Sequence, residues 1–323
     1  MPFGIRWGFS SPAPLPTSSL YGLEGHYPRI RRAIRRMGEA YSLGKAAVVV
    51  RCGPAVGNVD GLYVLLDDDF EAAIEDPALP DGYRRRLADA WNACVMRTHP
   101  DEVAAVIVPS EGLARLHGDR GHKIIRMDPS WNVPASFPDP GFHASPMKVA
   151  FLGTRSHLGD LELLRPALTE LGRTWEFHHF LGSGAPEWLL KCRQVIAHPA
   201  HPWKSYLRRI GTLRFHICVY PMRPTAVNAA RSCNKVMEHA MTGAASLYGC
   251  HVPFARELSE LDSRVLIDDD DWGYAISSLV SDRAECLLLA KSGHQFACKL
   301  AESAKARQME IWRALARGDG LRV

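Results

Sequence analysis

The sequence lacks the signatures of several large protein classes. None of its eight cysteines forms a Cys-x-x-Cys pair, and no cysteine and histidine spacing matches a zinc site. No apolar run approaches the roughly 20 residues that a membrane-spanning helix needs, and the N-terminus has no apolar signal-peptide core. We therefore expect buried free thiols and a soluble protein of the cytoplasm.

A large excess of charge of one sign is also missing. The chain has 39 basic and 35 acidic residues, and its net charge is +4. This balance is too even to require a nucleic-acid partner, but it is compatible with an anionic ligand or a membrane surface. At 323 residues, of which 46% are hydrophobic, the chain is long enough for two globular domains.

Short apolar runs alternate with segments of helical periodicity, and no repeat of 20 to 50 residues is present. The alternation predicts an α/β fold with mainly parallel sheets. Strands are predicted at 46–50, 62–66, 103–108, 123–127, 149–152, 175–181, 215–220, 244–248 and 265–267, with one more candidate at 4–9. Helices are predicted at 29–41, 83–96, 159–171, 203–210, 228–242, 272–280 and 299–317, and after Ser110 as N-cap.

A segment rich in proline, 129–146, separates two such series and is typical of an interdomain linker. It divides the chain into an N-terminal lobe at 1–145 and a second lobe at 146–298. The closing helix, 299–323, is expected to pack back on the first lobe.

The helix predicted at 29–41 carries an arginine-rich face. Arg29, Arg32 and Arg36 fit either a peripheral contact with anionic lipid or a solvated helix face.

The helix predicted at 228–242 has a mixed polar face. An arc of about 120° on a helical wheel holds Asn228, Arg231, Ser232, Lys235 and Glu238. Such a face can simply meet water, but this helix follows a strand and a stiff loop, where open α/β sheets bind ligands. Its N-terminus and its two cations suit a diphosphate, and the carboxylate could accept two ribose hydroxyls.

A second strand-to-helix turn, Gly153-Thr154-Arg155-Ser156-His157, offers a glycine for close approach of the backbone to a phosphate. Many such turns contain glycine, so this signal is weak by itself. His157 fits a structural turn residue as well as a catalytic one.

These residues carry a family resemblance. The stretch from Lys148 to Leu161, with its Gly-Thr, His157 and Asp160, resembles the opening of the nucleotide-sugar-binding lobe of bacterial GT-B glycosyltransferases, in the broad group containing family 4. The spacing from Asn228 through Glu238 to Gly243 is similar to a branch pattern of that group. The resemblance implies two Rossmann-like lobes facing each other across a cleft, with the first lobe shortened, and a bacterial enzyme.

The resemblance also implies a site and a role. Glu238 would hold the ribose of a nucleoside diphosphate sugar, which is a co-substrate rather than a cofactor. The predicted nucleotide-sugar site consists of Gly153, Thr154, Arg155, His157, Asp160, Asn228, Arg231, Ser232, Lys235 and Glu238. Catalytic residues are not assigned by the resemblance, and retention of the anomeric configuration is implied by the family alone.

Two departures from the family pattern matter. Arg231 stands where the branch usually has lysine, a change that keeps the charge. Family 4 members often carry a Glu-x7-Glu pair, and Ala230 stands where its first acid would be. This substitution supports an alternative function, a non-catalytic nucleotide-binding or scaffolding module.

A Rossmann oxidoreductase is disfavoured because no Gly-x-Gly-x-x-Gly follows a strand. The run from Asp67 to Asp69 is similar to a metal-binding motif of another glycosyltransferase class, but we expect a solvated or loop-anchoring acidic cluster and expect no metal.

Overall fold

A computed structural model describes residues 16–24, 34–37, 40–57, 59–170, 173–199 and 201–318. The described residues fall into two compact units. The first unit takes in those of Met1–Ser130, Ala230–Ser232 and Glu302–Val323, and the second those of Trp131–Ala229 and Cys233–Ala301. Each unit is built around one sheet of six strands.

The proline-rich segment belongs to the second unit from residue 131 onward, whereas the sequence assigned it to the first lobe. Side chains of the second unit explain this difference. The Arg283 guanidinium donates to the carbonyls of Phe142 (3.1 Å) and Ala144 (3.0 Å). The segment is therefore attached to the second unit by hydrogen bonds and is not a free linker.

The sheet of the first unit has its strands in chain order, antiparallel in its first three strands and parallel afterwards. The strands are β1 (Ile34–Met37), β2 (Ala40–Leu43), β3 (Ala46–Val50), β4 (Gly61–Leu65), β5 (Val103–Val108) and β6 (Ile124–Arg126). The helices are α1 (Pro16–Leu20), α2 (Phe70–Glu75), α3 (Asp81–Asn92), α4 (Val95–Thr98) and α5 (Glu111–Gly118), with a short 3-10 helix at Pro100–Glu102.

The helix predicted at 29–41 is wrong wherever the structure describes it. Strands β1 and β2 form a hairpin there, in which Ile34 pairs with Leu43 and Met37 with Ala40. Local helical periodicity is overridden by pairing with β3, which places β2 in the core of the sheet. Arg36 is exposed on β1, while Arg29, Arg32 and the candidate strand at 4–9 lie outside the described residues.

Both faces of this sheet are covered, because alternate residues of β3 to β5 enter two apolar clusters. On one face the cluster includes Val48 and Trp312, and the Trp312 indole donates to the Tyr21 carbonyl (2.8 Å). On the other face it includes Val49 and Trp91. The described C-terminal residues from Glu302 thus belong to the first unit, and Ile311, Trp312 and Leu315 enter its core.

The sheet of the second unit is entirely parallel, in the order β12-β11-β10-β7-β8-β9. Its strands are β7 (Lys148–Phe151), β8 (Glu176–His179), β9 (Val195–Ala197), β10 (Ile217–Tyr220), β11 (Ala245–Gly249) and β12 (Leu266–Ile267). Counted within the unit, this is the 3-2-1-4-5-6 order of the doubly wound dinucleotide-binding fold. From β7 the chain adds strands toward one edge of the sheet, and from β10 it adds them toward the other edge.

Short helices connect these strands, and one long helix closes the chain. The helices are α6 (Leu158–Leu161), α7 (Arg165–Thr169), α8 (Glu187–Leu190), α9 (Trp203–Ile210), α10 (Ala226–Ala229), α11 (Asn234–Ala240), α12 (Ala255–Asp262), α13 (Trp272–Ser281) and α14 (Arg283–Arg317). Short 3-10 helices lie at Arg155–His157, Glu162–Leu164, Gly182–Gly184 and Ser263–Val265. Within the described ranges no helix, α14 included, has the length and apolar character to cross a membrane.

A glycine joins the helix α11 to the strand β11. Gly243 has φ of +78°, and a Cβ atom there would come within 1.8 Å of the Pro138 carbonyl oxygen. The chain therefore requires glycine at this position both for its backbone conformation and for the approach of the proline-rich segment.

Candidate functional site

The candidate site lies at the carboxyl edge of the second sheet, where β7 and β10 are neighbours. Ile217 of β10 pairs with Val149 of β7, so the loops that follow these two strands start side by side. This is the point at which the strand order changes direction, and open parallel sheets bind ligands in the crevice there. Both predicted segments, the turn after residue 152 and the loop after residue 220, are located at this crevice.

Asp160 connects the two loops. Its buried carboxylate accepts from the His157 ring (Nδ1, 3.1 Å), the Arg223 backbone N–H (3.0 Å) and the Asn228 amide (Nδ2, 2.8 Å). Burial alone would raise the pKa of Asp160, but these hydrogen bonds hold it below the ordinary 3.8. Asp160 and Asn228 therefore fix the shape of the crevice.

Lys235 and Glu238 form a buried ion pair beside this crevice. The Lys235 ammonium donates to the Glu238 carboxylate and to the Leu152 carbonyl (2.7 Å) at the end of β7. Their side chains are 11% and 5% exposed. The second carboxylate oxygen of Glu238 accepts from the Tyr206 hydroxyl (2.5 Å) on α9. The sequence predicted Lys235 and Glu238 here, but not Tyr206.

The continuous helix predicted at 228–242 is wrong. The chain forms α10 and α11 with an irregular segment at 230–233 between them. Ala230 is buried in the apolar core of the first unit, and its carbonyl accepts from the Ser110 hydroxyl (2.6 Å). Tertiary packing thus breaks a locally plausible helix. Asn228 therefore lies within the short helix α10 and not at the N-terminus of one long helix.

Two of the predicted site residues lie in the irregular segment between α10 and α11. Arg231 and Ser232 belong to the first unit, whereas the other eight predicted site residues belong to the second. The Arg231 guanidinium pairs with Asp68, which also lies 3.5 Å from Arg51. Burial raises the pKa of Asp68 from 3.8, although both arginines oppose that shift. The helical wheel that placed Arg231 beside Lys235 therefore does not apply.

The turn after β7 is polar and open. Thr154 and Arg155 are exposed, and the Thr154 hydroxyl bonds to that of Ser156 (2.9 Å). Glycine is required at position 153 for a structural reason besides the approach of a phosphate, because a Cβ atom there would come within 2.2 Å of the Phe151 ring. Exposed Arg155 is thus available to an anion at this edge.

Arg223 is a cation at the crevice that the sequence reasoning did not assign to the site. It lies in the loop directly after β10, with its Nε 3.9 Å from the Asp160 carboxylate and its side chain 35% exposed. Its position after a central strand was the available signal.

Two acidic groups elsewhere bear on metal binding. In the first unit Asp67 lies 3.2 Å from Arg51, and Asp69 caps α2 by accepting from the Ala72 N–H (2.9 Å). In the second unit ligand atoms of Cys250, His251 and Asp269 lie within 4.8 Å of one another after β11 and β12. These three could hold a metal ion. Sequence spacing did not reveal them because two different strands contribute.

The sequence matches no protein-family model and no curated protein. Solved structures do match. TarM superposes with a TM-score of 0.56 at 12% identity, over 83% of this chain and 54% of TarM. WaaG, a glycosyltransferase involved in lipopolysaccharide biosynthesis, gives 0.54 at 11% identity, over 81% of this chain and 76% of WaaG. The chain has the GT-B glycosyltransferase fold.

A third GT-B structure was solved with a ligand. HepE from Anabaena, in complex with UDP-glucose, gives a TM-score of 0.51 at 11% identity, over 79% of this chain and 72% of HepE. A structure of TarM from S. aureus also contains UDP. The chain spans about half the length of TarM, so activities of that whole protein are not transferred to it by likeness of fold.

Proposed function

We propose that this chain is a glycosyltransferase that moves a sugar from a nucleoside diphosphate sugar to an acceptor. The observation that carries the proposal is the set of side chains at the crevice between β7 and β10. A buried carboxylate, a buried ammonium, the half-buried Arg223 and the exposed Arg155 lie on the segments at the ligand-binding edge of a doubly wound sheet. The nucleotides present in the HepE and TarM structures support it.

The proposed roles follow from charge and geometry. Glu238 accepts hydrogen bonds from the ribose, while Lys235, Arg155 and Arg223 face the diphosphate. These cations would stabilise the negative charge that develops on the diphosphate as it leaves, the usual form of electrostatic catalysis. Asp160, His157 and Asn228 hold the two loops in place.

Several finer points belong to this proposal. We propose that donor binding needs no metal, because the arginines and Lys235 neutralise the phosphates, and that the reaction retains anomeric configuration. The acceptor is a glycan, lipid or protein of unidentified structure. A cytoplasmic, bacterial setting with peripheral membrane contact through Arg29, Arg32 and Arg36 remains a prediction from the sequence.

A thermal-shift panel of UDP, GDP, ADP and their sugars tests donor binding. A ligand at 100 times its dissociation constant stabilises the folded state by about 2.7 kcal/mol, so we expect a clear rise in melting temperature with one base. Uridine, guanosine and adenosine are the controls that lack phosphate. If none of the nucleotides shifts the melting temperature, the proposed donor site is refuted.

A transfer or hydrolysis assay separates an enzyme from the alternative, a non-catalytic nucleotide-binding module. The alternative is favoured by Ala230, which leaves the first acidic position of the family pattern empty. An enzyme releases nucleoside diphosphate from its donor, even slowly onto water. Binding without any release of diphosphate would favour the module.

We expect Arg223→Ala to weaken UDP binding about tenfold and uridine binding little, because the lost cation faces the phosphates. Arg231→Ala is the matched control. Its guanidinium pairs with Asp68 in the first unit, so we expect UDP affinity to change less than about twofold. Isothermal titration of both variants measures this. A larger loss from Arg231→Ala than from Arg223→Ala would return the phosphate role to Arg231.

A further inference from the structure

We infer that Tyr206 positions the Glu238 carboxylate for the two ribose hydroxyls and thereby sets a preference for ribonucleotides over deoxyribonucleotides. The inference rests on the proposed function and extends it to a residue that neither the sequence pattern nor the family resemblance assigned. Tyr206 lies on α9, whereas Glu238 lies on α11. A separate element of the fold thus controls the carboxylate.

The hydrogen bonds that Glu238 accepts among the described residues do not use the full acceptor capacity of its carboxylate. A carboxylate accepts about four hydrogen bonds through its two oxygens. One oxygen of Glu238 accepts from the Tyr206 hydroxyl (2.5 Å) and the other from the Lys235 ammonium. About two acceptor sites are then unused, one on each oxygen, which equals the number of hydroxyls on a ribose. The two protein donors therefore determine how the carboxylate faces those hydroxyls.

Tyr206 is itself held firmly. Its ring stacks on Trp203 with centroids 5.9 Å apart at 25°, and meets Phe180 edge-on at 6.0 Å. Trp203 in turn packs edge-on against Trp131 at 5.5 Å. Such aromatic packing fixes the ring, so the hydroxyl is presented to Glu238 from one direction.

The phenol also keeps its proton. Burial and the nearby charge of Glu238 raise the pKa of Tyr206 well above 10. Tyr206 is therefore a hydrogen-bond donor to Glu238 at every pH at which the protein would be assayed.

Loss of the Tyr206 hydroxyl should weaken the contact with the ribose alone. Tyr206→Phe retains the ring and its stacking, but among the described residues it leaves the Lys235 ammonium as the remaining hydrogen-bond donor to Glu238. The carboxylate can then turn toward the ammonium, and the ribose hydroxyls lose a fixed acceptor. The cations that face the diphosphate are unchanged, so the contribution of the phosphates to affinity should persist.

The experiment measures dissociation constants for UDP and 2′-deoxy-UDP, and for the GDP and ADP pairs, by isothermal titration with the full chain. We expect the unaltered protein to prefer the ribonucleotide by about tenfold or more, and Tyr206→Phe to reduce that ratio nearly to one. Because the readout is a ratio of two affinities, it does not depend on the fraction of folded protein. Tyr248→Phe, a buried tyrosine of β11 beside Ser246, is the matched control and should leave the ratio unchanged.

A double variant tests whether Tyr206 acts through Glu238. In a Glu238→Ala background, Tyr206→Phe should have no further effect on the ratio, because the carboxylate it positions is gone. A ratio that Tyr206→Phe leaves unchanged, in a chain that does discriminate, overturns this inference alone. Failure of the unaltered chain to bind any of the six nucleotides overturns the proposed function as well.

Discussion

Lys235→Met should destabilise the protein by about 3–5 kcal/mol, because it leaves the buried Glu238 carboxylate without its cation. Methionine approximates the apolar stem of lysine, so the loss of packing is small. The variant retains the Glu238 carboxylate, which is 5% exposed and accepts a hydrogen bond from the Tyr206 hydroxyl. Urea unfolding followed by tryptophan fluorescence measures the change in free energy of unfolding.

An exposed ion pair supplies the matched control. Lys191 and Glu187 form the same kind of pair at 2.7 Å, but their side chains are 72% and 81% exposed. Lys191→Met should cost less than about 1 kcal/mol because water already solvates both charges. A comparable loss from both substitutions would mean that the Lys235 pair is not desolvated as the structure places it.

The double variant Lys235→Met/Glu238→Gln should recover most of the lost stability. It removes both charges together, while glutamine can still accept from the Tyr206 hydroxyl. UDP binding should not recover, since the ammonium that we propose to face the diphosphate is absent. Recovery of UDP affinity along with stability would show that Lys235 contributes to folding only.

The predicted strands were largely correct because strand identity depends on short apolar runs. The runs at 46–50, 103–108 and 215–220 correspond to β3, β5 and β10 to within two residues. β9 was missed because its apolar run, Val195–Ala197, is only three residues long, and these residues are partly or fully exposed. The helix α14 begins at Arg283, well before the predicted start at 299.

Errors arose where tertiary contacts overrule local pattern. The segment 29–41 has helical spacing, yet pairing of β1 with β2 and of β2 with β3 places its described residues in strands. Likewise 228–242 has the periodicity of one amphipathic helix, but burial of Ala230 in the first unit interrupts it. Two residues separate β3 from β2, but strand pairing leaves no mark in a pattern of helical spacing. The Ser110 hydroxyl that contacts Ala230 is 120 residues away, so no local pattern reports that contact.

The same limit applies to the candidate site. Lys235 and Glu238 were predictable because they are three residues apart on one helix that survives as α11. Asp160 and Asn228 were named as ligands, but their mutual hydrogen bond joins positions 68 residues apart. Tyr206 and Arg223 were missed for the same reason, since what makes them relevant is a contact with a distant carboxylate.

Acid should destabilise the second unit through a set of buried histidines. Burial lowers the pKa of His178, His179 and His198 from 6.5 to about 4 and that of His239 well below 6.5. Neighbouring cations, such as Lys148 beside His178 and Lys235 beside His239, act in the same direction. The unfolded chain takes up protons first as the pH falls, so stability is complete above pH 6.5 and is lost toward pH 4.

We expect the loss between pH 7 and pH 5 to be about 1 kcal/mol per histidine, allowing for partial exposure of the less buried rings. The raised pKa of Asp68 acts oppositely, and the lowered pKa of Asp160 matters only below 3.8. Thermal melting across this range measures the slope.

Substitution of a single histidine shows whether these rings cause the slope. Within the described residues neither ring nitrogen of His239 has a hydrogen-bond partner, and the ring stacks on Tyr248 at 5.6 Å. His239→Phe retains that stacking and cannot titrate, so it should flatten the fall in melting temperature between pH 7 and pH 5. His143→Asn, at an exposed position, is the control and should leave the slope unaltered. A slope that is equally steep in His239→Phe would show that this ring is not buried neutral, and the acid lability would then have to come from other groups.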